Sequence, residues 1–343
     1  PPYYSLRKYA GEQEVDWPAM TYLAMPGIPV LNQVEPMTCA LGLESTPEAY
    51  IGHMVLVFRE VMRVLRDDGV AWCVMGDSYG HGTTAVRNES NNPGVGANCP
   101  DAQGSVGKRH GGEPGDLMLI PHRLALALQA DGWIVRNDVV WHKKAPMPES
   151  VSGWRFQDGK LRRGSWRHTR AHETVLMLAK QMNYFCDQER VREESTSQEW
   201  YERYKETVDD WSLRYAGGAT PGGGNSGLTT NKFNASGRNP RSVMTPSPES
   251  YSGAHYAVYP RTLIYPLLRA TAPTRVCPVC AAPWAPVVER ERMEIRRSGR
   301  ANETGNRTDT SGTMTKPASS TVLAHRPTCD CHEHESVPGW VLD

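Results

Sequence analysis

The sequence predicts an α/β fold, helices layered on a sheet, and three observations point to it. Residues 46–65 carry an apolar stripe at helical spacing: Ile51, Met54, Val55, Phe58, Val61, Met62 and Leu65. Such a stripe buries one face of a helix. Directly after it comes Val70-Ala71-Trp72-Cys73-Val74-Met75, a continuous apolar run suited to a buried parallel strand. The same succession of helix and strand signals returns over 121–141, and that alternation is the mark of α/β layering.

The chain opens with Pro1-Pro2-Tyr3-Tyr4. Two prolines fix φ and remove two donors, leaving rigid carbonyl acceptors beside the flat ring of Tyr3. A turn or a polyproline ligand would use the same residues. Residues 5–46 hold many Pro, Gly and Met without a sustained period and are expected to form a long loop. Thr46 is the N-cap candidate of the first helix, and Gly69 is its expected stop. The strand at 70–75 runs into Gly76-Asp77-Ser78-Tyr79, at the carboxyl end where open α/β sheets bind ligands. Residues 80–115, rich in Gly and Asn, read as an exposed insertion or as disorder without function. Pro121 starts a second helix that stops at Asp131-Gly132, and 133–141 follow as a strand. Lys143-Lys144-Ala145-Pro146-Met147-Pro148-Glu149-Ser150 is then a rigid exit loop. In residues 151–170, Arg155, Lys160, Arg162, Arg163, Arg167 and Arg170 accompany one acid, Asp158, with Trp154, Phe156 and Trp166 interleaved. Cations for phosphates and aromatics for stacking suit a nucleic acid; a solvated hairpin has the same composition. Residues 173–180 resume the sheet, and 261–270 form a short helix.

At 343 residues the chain can bury a substantial core. Its 38 basic and 38 acidic residues cancel, so any nucleic-acid surface is a local patch. A mean hydropathy of −0.55 and the lack of a long apolar run argue against a membrane span. No signal peptide precedes the first motif, and a reducing cytoplasm is the expected compartment.

Pro1-Pro2-Tyr3, Gly76-Asp77-Ser78-Tyr79, the loop from Lys143 to Ser150 and His255-Tyr256-Ala257-Val258-Tyr259-Pro260 stand in an order that resembles the permuted β group of amino-group DNA methyltransferases. These modify cytosine N4 or adenine N6. The resemblance implies a Rossmann-like, S-adenosylmethionine-dependent sheet with helices on both faces, plus insertions, acting on double-stranded DNA. It makes Pro1, Pro2 and Tyr3 the catalytic candidates and assigns the methionine side of the cofactor to His255, Tyr256, Ala257, Tyr259 and Pro260. Asp343, in Gly339-Trp340-Val341-Leu342-Asp343, would open the strand leading to the cofactor's glycine-rich turn. Candidate DNA contacts are Lys143, Lys144, Pro146, Arg155, Arg162, Arg163 and Arg167. The chain would then divide into a catalytic half (1–186), a target-recognition region (187–253), a cofactor-side segment (254–273), a zinc-ribbon insertion (274–335) and the start of the cofactor strand (336–343). A cognate restriction enzyme is the implied partner, in a bacterial or phage-infected cell. A cytosine-C5 enzyme would need a nucleophilic thiolate, commonly in a Pro-Cys pair, and no such dipeptide occurs. A catalytically inactive, zinc-stabilised DNA-binding protein and an RNA or protein N-methyltransferase are the rival readings.

Cys277-Pro278-Val279-Cys280 and Cys329-Asp330-Cys331 can supply four thiolates to a structural zinc. His325, His332 and His334 are candidate replacements for one cysteine, and residues 288–320 are expected to be a flexible loop pinned at its base by the metal.

Overall fold

A computed structural model describes residues 1–5, 13–80, 115–146, 148–149, 153–162, 164–194, 235–250, 258–292, 294–297, 312–316, 318–331, 335–339 and 341. The chain forms two compact units, Pro1–Tyr184 with Ser242–Tyr265, and Phe185–Arg241 with Pro266–Asp343. Among the described residues no helix is long and apolar enough to cross a membrane.

In the first unit, the stretch expected to be a loop contains four short strands. They are β1 (Val15–Trp17), β2 (Met20–Leu23), β3 (Leu31–Val34) and β4 (Met37–Cys39). β2 pairs with β3, and β1 with β4, both antiparallel. Met20, Tyr22 and Val34 are buried against α1 (Pro47–Val64). Strands of three or four residues are too short to display a period, which is why the sequence hid them. Helix α1 begins as expected: Thr46 Oγ1 accepts from the Ala49 amide at 3.1 Å, a side-chain cap for an otherwise unpaired donor. It stops at Leu65, four residues before Gly69.

Strand β5 (Val70–Met75) leads by Gly76 to Tyr79 towards α2 (Ile120–Ala130), and then to β6 (Ile134–His142). Next come the hairpin strands β7 (Arg155–Gln157) and β8 (Lys160–Arg162), then β9 (His172–Ala179). With β10 (Val243–Met244) the sheet has the order β10-β6-β9-β5. β9 is antiparallel to both β5 and β6, whereas β10 is parallel to β6. The sheet is therefore mixed, and the expected parallel pairing of Val70–Met75 is corrected to an antiparallel one. A continuous apolar run reports burial on both faces and carries no information on direction. On one face Cys73, Met75, Leu176 and Leu178 pack with α1 and α2 into a single core. On the other, Val175 and Ala179 are fully buried as well.

Helix α3 (Arg261–Thr271) holds Pro266 in its interior, where the division between the units falls. The second unit is a polar β-ribbon. β11 (Arg275–Val276) precedes β12 (Trp284–Glu291), β13 (Glu294–Arg297), β14 (Gly312–Lys316), β15 (Ser319–Pro327) and β16 (Val337–Pro338). β12 pairs with β15, β13 with β14 and β11 with β16, all antiparallel. The flexible loop expected over 288–320 is thus replaced, in its described parts, by paired strands. A two-stranded ribbon with little buried face has no apolar alternation to announce it. Arg192 hydrogen-bonds Glu189 and holds its carboxyl down at about 2, and Ser320 donates to Glu189 at 2.7 Å.

Candidate active site

Tyr3 is held on every side by the first unit. The Pro2 carbonyl accepts from Tyr50 Oη at 2.8 Å, while the buried Tyr4 ring lies 5.5 Å from that of Tyr50. A Cβ on Gly42 would come within 2.9 Å of the Tyr3 carbonyl oxygen, and a Cβ on Gly76 within 2.5 Å of its ring carbons. These two glycines are required because Tyr3 lies where a side chain would. Gly42 is fixed in turn: its amide donates to Glu44 Oε2 at 2.8 Å. Glu44 Oε1 faces His53 Nδ1 at 3.0 Å, and Trp17 stacks on the His53 ring. The Tyr3 hydroxyl donates to Glu173 Oε2 at 2.7 Å, and Lys143 donates to Glu173 Oε1. Burial, with Glu173's charge and hydrogen bond behind it, pushes the Tyr3 phenol well above its ordinary value. Tyr3 is therefore a neutral, immobilised aromatic ring. Pro2's carbonyl is engaged by Tyr50, which leaves Pro1's as the other prolyl carbonyl of the motif.

The Gly76-Asp77-Ser78-Tyr79 segment does more than end a strand. Asp77 Oδ1 accepts from Ser78 N at 3.0 Å and from Ile120 N at 2.9 Å, capping α2 from a distance. Its other oxygen lies 3.4 Å from Arg170 Nη2. Tyr79 receives the guanidinium of Arg167 over its ring at 3.6 Å, and Arg167 also donates to Glu149.

The candidate DNA residues fall into two groups. Lys143 and Arg167 each have a carboxylate partner inside the unit. Lys144, Arg155 and Arg162 are exposed, Pro146 is half-buried, and Arg163 lies outside the described residues. Arg162 sits 3.6 Å from Asp158. Of the cofactor candidates, Tyr259 is half-buried and Pro260 buried, its carbonyl accepting from Leu263 N at 2.9 Å as α3 begins. His255, Tyr256, Ala257 and Asp343 lie outside the described residues, as does most of the expected target-recognition region.

In the second unit the sulfurs of Cys277, Cys280, Cys329 and Cys331 all lie within 4.8 Å of one another. Tetrahedral zinc with bonds of ~2.3 Å needs sulfurs about 3.8 Å apart, so the set fits. The amides of Cys280 and Val279 point at Cys277 and draw its thiol down to about 7, towards the thiolate that binds metal. His325 is elsewhere, 3.3 Å from Asp187; His332 and His334 lie outside the described residues. A second cluster, Cys39, Glu44 and His53, is comparably tight, but its acid and imidazole are already bonded to each other.

Sequence reasoning missed Glu173, Gly42 and the ring-facing role of Gly76. The signal for Glu173 was faint, an acid heading an otherwise apolar strand. It meets Tyr3 across 170 positions.

The aromatic ring of Tyr3 is thus fixed beside Pro1 and Pro2 and tied to Glu173 at the edge of an α/β sheet. Residues 1–275 match the family model described as DNA methylase, which covers N6- and N4-acting enzymes, and the chain belongs to that family. It is similar to the type II methyltransferase M.Cfr9I of Citrobacter freundii, with 32% identity over 273 residues, 79% of this chain and 64% of the relative. M.XycI of Xanthomonas campestris pv. cyanopsidis is 31% identical over 272 residues, with the same coverage of 79% and 64%. M.SmaI of Serratia marcescens is 30% identical over 226 residues, 65% of this chain and 59% of the relative. The chain thus spans somewhat under two thirds of the length of these relatives.

Proposed function

We propose that the protein is a site-specific DNA methyltransferase. It would move a methyl group from S-adenosylmethionine to the exocyclic amine of a flipped-out cytosine (N4) or adenine (N6). The observation that carries this reading is the seating of Tyr3, a ring held by two glycines and Glu173 beside the Pro1 carbonyl. A planar base stacks on such a ring while its amine reaches the acceptor. When bound, the cofactor supplies a methyl group on a sulfonium. Its chemistry would be transfer of that methyl group from sulfur to the amine nitrogen, with an amine proton lost to solvent. Pro1's carbonyl accepts an N–H of the amine and favours the pyramidal nitrogen. This stabilises the transition state more than the flat ground state. The stack on Tyr3 offsets an unstacking cost on the order of a few kcal/mol. Tyr259 and Pro260, with His255, Tyr256, Ala257 and Asp343, are assigned to the cofactor by the family resemblance. The frame we infer for the whole protein is a Rossmann-like sheet with helices on both faces. Its partners on this reading are double-stranded DNA and a cognate restriction endonuclease, in a bacterial or phage-infected cytoplasm.

Tritium transfer from labelled cofactor into duplex DNA, followed by nucleoside analysis, tests the reading. N4-methylcytosine or N6-methyladenine at one recurring sequence is expected. Label found only on carbon 5 of cytosine, or no transfer by the full-length protein, would defeat it.

Lys144, Pro146, Arg155, Arg162 and Arg163 are the residues we place against DNA, with Lys143 and Arg167 shaping the loop behind them. Replacing Arg155 and Arg162 together by alanine should weaken binding to every sequence alike. The slope of log affinity against log salt should become shallower by about 0.9 for each phosphate that is no longer neutralised. A slope equal to the parent's would leave the hairpin out of the interface. We assign the four cysteines to one structural zinc, with every coordination position filled and no part in methyl transfer.

A further inference from the structure

The hairpin β7–β8 has two unlike faces, and both are turned to solvent. Its register sets Arg155 opposite Arg162 and Phe156 opposite Leu161. Side chains alternate along a strand, so the guanidinium pair occupies one face and the apolar pair the other. Phe156 is 75% exposed and Leu161 60% exposed. The turn is sharply specified: Asp158 and Gly159 have φ of 54° and 71°, the two positive values of a type I′ connection, which locks register. The base is tight as well, since Gly153 N donates to Ser165 O at 3.0 Å. A Cβ on Gly164 would lie 1.9 Å from the Gly153 carbonyl oxygen.

On its own this design is unfavourable. Like charges directly opposite each other destabilise a strand pair, isolated two-stranded ribbons are marginal, and the apolar pair is largely exposed. The pattern matches a ligand with anionic edges and an apolar, stacked interior, which is the chemistry of duplex DNA. The hairpin is also anchored at the site. Its leading strand follows the loop from Lys143 to Glu149, and its trailing end returns through Arg167 to Glu173, the acid that holds Tyr3. We propose that Phe156 and Leu161 enter the base stack beside the target and fill the space its flipped base vacates, while Arg155 and Arg162 hold the flanking phosphates. This rests on the methyltransferase reading above.

The test uses the full-length protein and its variant with both Phe156→Ser and Leu161→Ser. Both side chains are exposed, so an unchanged melting curve is expected and confirms an intact fold. Two duplexes are compared, one fully paired and one with an abasic position opposite the target base, where there is less stack to open. The parent should bind the abasic duplex more tightly, and the variant should show a larger preference, because without the inserted side chains it bears more of the cost of opening the paired stack. On the paired duplex the variant's single-turnover methyl transfer should fall by about 10- to 100-fold, the scale of lost base–apolar stacking. On the abasic duplex its rate should return to within about threefold of the parent's, because flipping there costs little. A variant that keeps the parent's preference and rate, or that is equally slow on both duplexes, overturns the inference. A parent that transfers no methyl group yet shows an abasic preference that the variant enlarges would instead defeat the methyltransferase reading and leave the hairpin's role standing. If the parent shows no abasic preference, the insertion idea fails whether or not methyl is transferred.

Discussion

Replacing Tyr3 by alanine should lower methyl transfer into duplex DNA by about 5- to 150-fold, the equivalent of ~1–3 kcal/mol of lost base stacking. The ring contributes in two ways. On the proposed reading it is the face on which the flipped base would rest, and it fills the space that the bare backbone of Gly76 leaves open. Its removal also frees Glu173, leaving that acid to Lys143 alone. Tyr3→Phe separates these contributions. It keeps the stacking face and the packing on Gly76 but loses the 2.7 Å hydrogen bond to Glu173, so its deficit should be the smaller one. Single-turnover transfer measured beside a melting curve checks the expectation. Equal rates for parent and alanine variant would remove Tyr3 from the site, and equal deficits for alanine and phenylalanine would assign the effect to the hydroxyl instead of the stack.

Protein purified without added metal should carry about one equivalent of zinc, and removing it should unravel the ribbon between β11 and β16. The second unit offers little else to hold that region. Its long strand pair is polar, with Val322 and Leu323 exposed. At the base, β11 and β16 pair over only two residues each. In zinc-finger peptides a structural zinc contributes an apparent ~10 kcal/mol or more to folding, far above what such a ribbon gains from burial. Cys277→Ser or Cys329→Ser, or a strong chelator, should therefore collapse amide-exchange protection across residues 275–291 and 319–339. Retention of that protection without metal, or less than about half an equivalent of zinc on elemental analysis, would refute the assignment.

The elements legible in advance were those with a strong period or a strong stop. The stripe from Ile51 to Leu65 gave α1, Thr46 gave its cap, and Pro121 to Gly132 gave α2. The positions of β5, β6 and β9 were legible too, but their directions were not, because side-chain patterning reports which faces are buried and is silent on polarity. β1–β4 and the ribbon stayed hidden for the opposite reason: short or polar strands leave no alternation. In the site, Pro1-Pro2-Tyr3 and the four cysteines stood out as local motifs. Glu173, Gly42 and Gly76 did not, because what marks them is proximity to Tyr3, which exists only once the sheet has formed. Lys143 and Arg167 looked like cations for phosphate; Glu173 and Glu149 give them work inside the protein.

β9 is hydrogen-bonded along both edges, to β5 and β6, and buried on both faces. A slip of one residue would advance Glu173 by about 3.4 Å and turn it to the opposite side of the sheet. It would also drive Thr174 into the slot of Val175, so the ladder resists such slips at six successive pairs with β5. The sheet therefore works as a ruler. Where the tyrosine ring lies is measured out by the count of residues along β9, so whatever Tyr3 positions inherits its accuracy from a ladder paired on both edges.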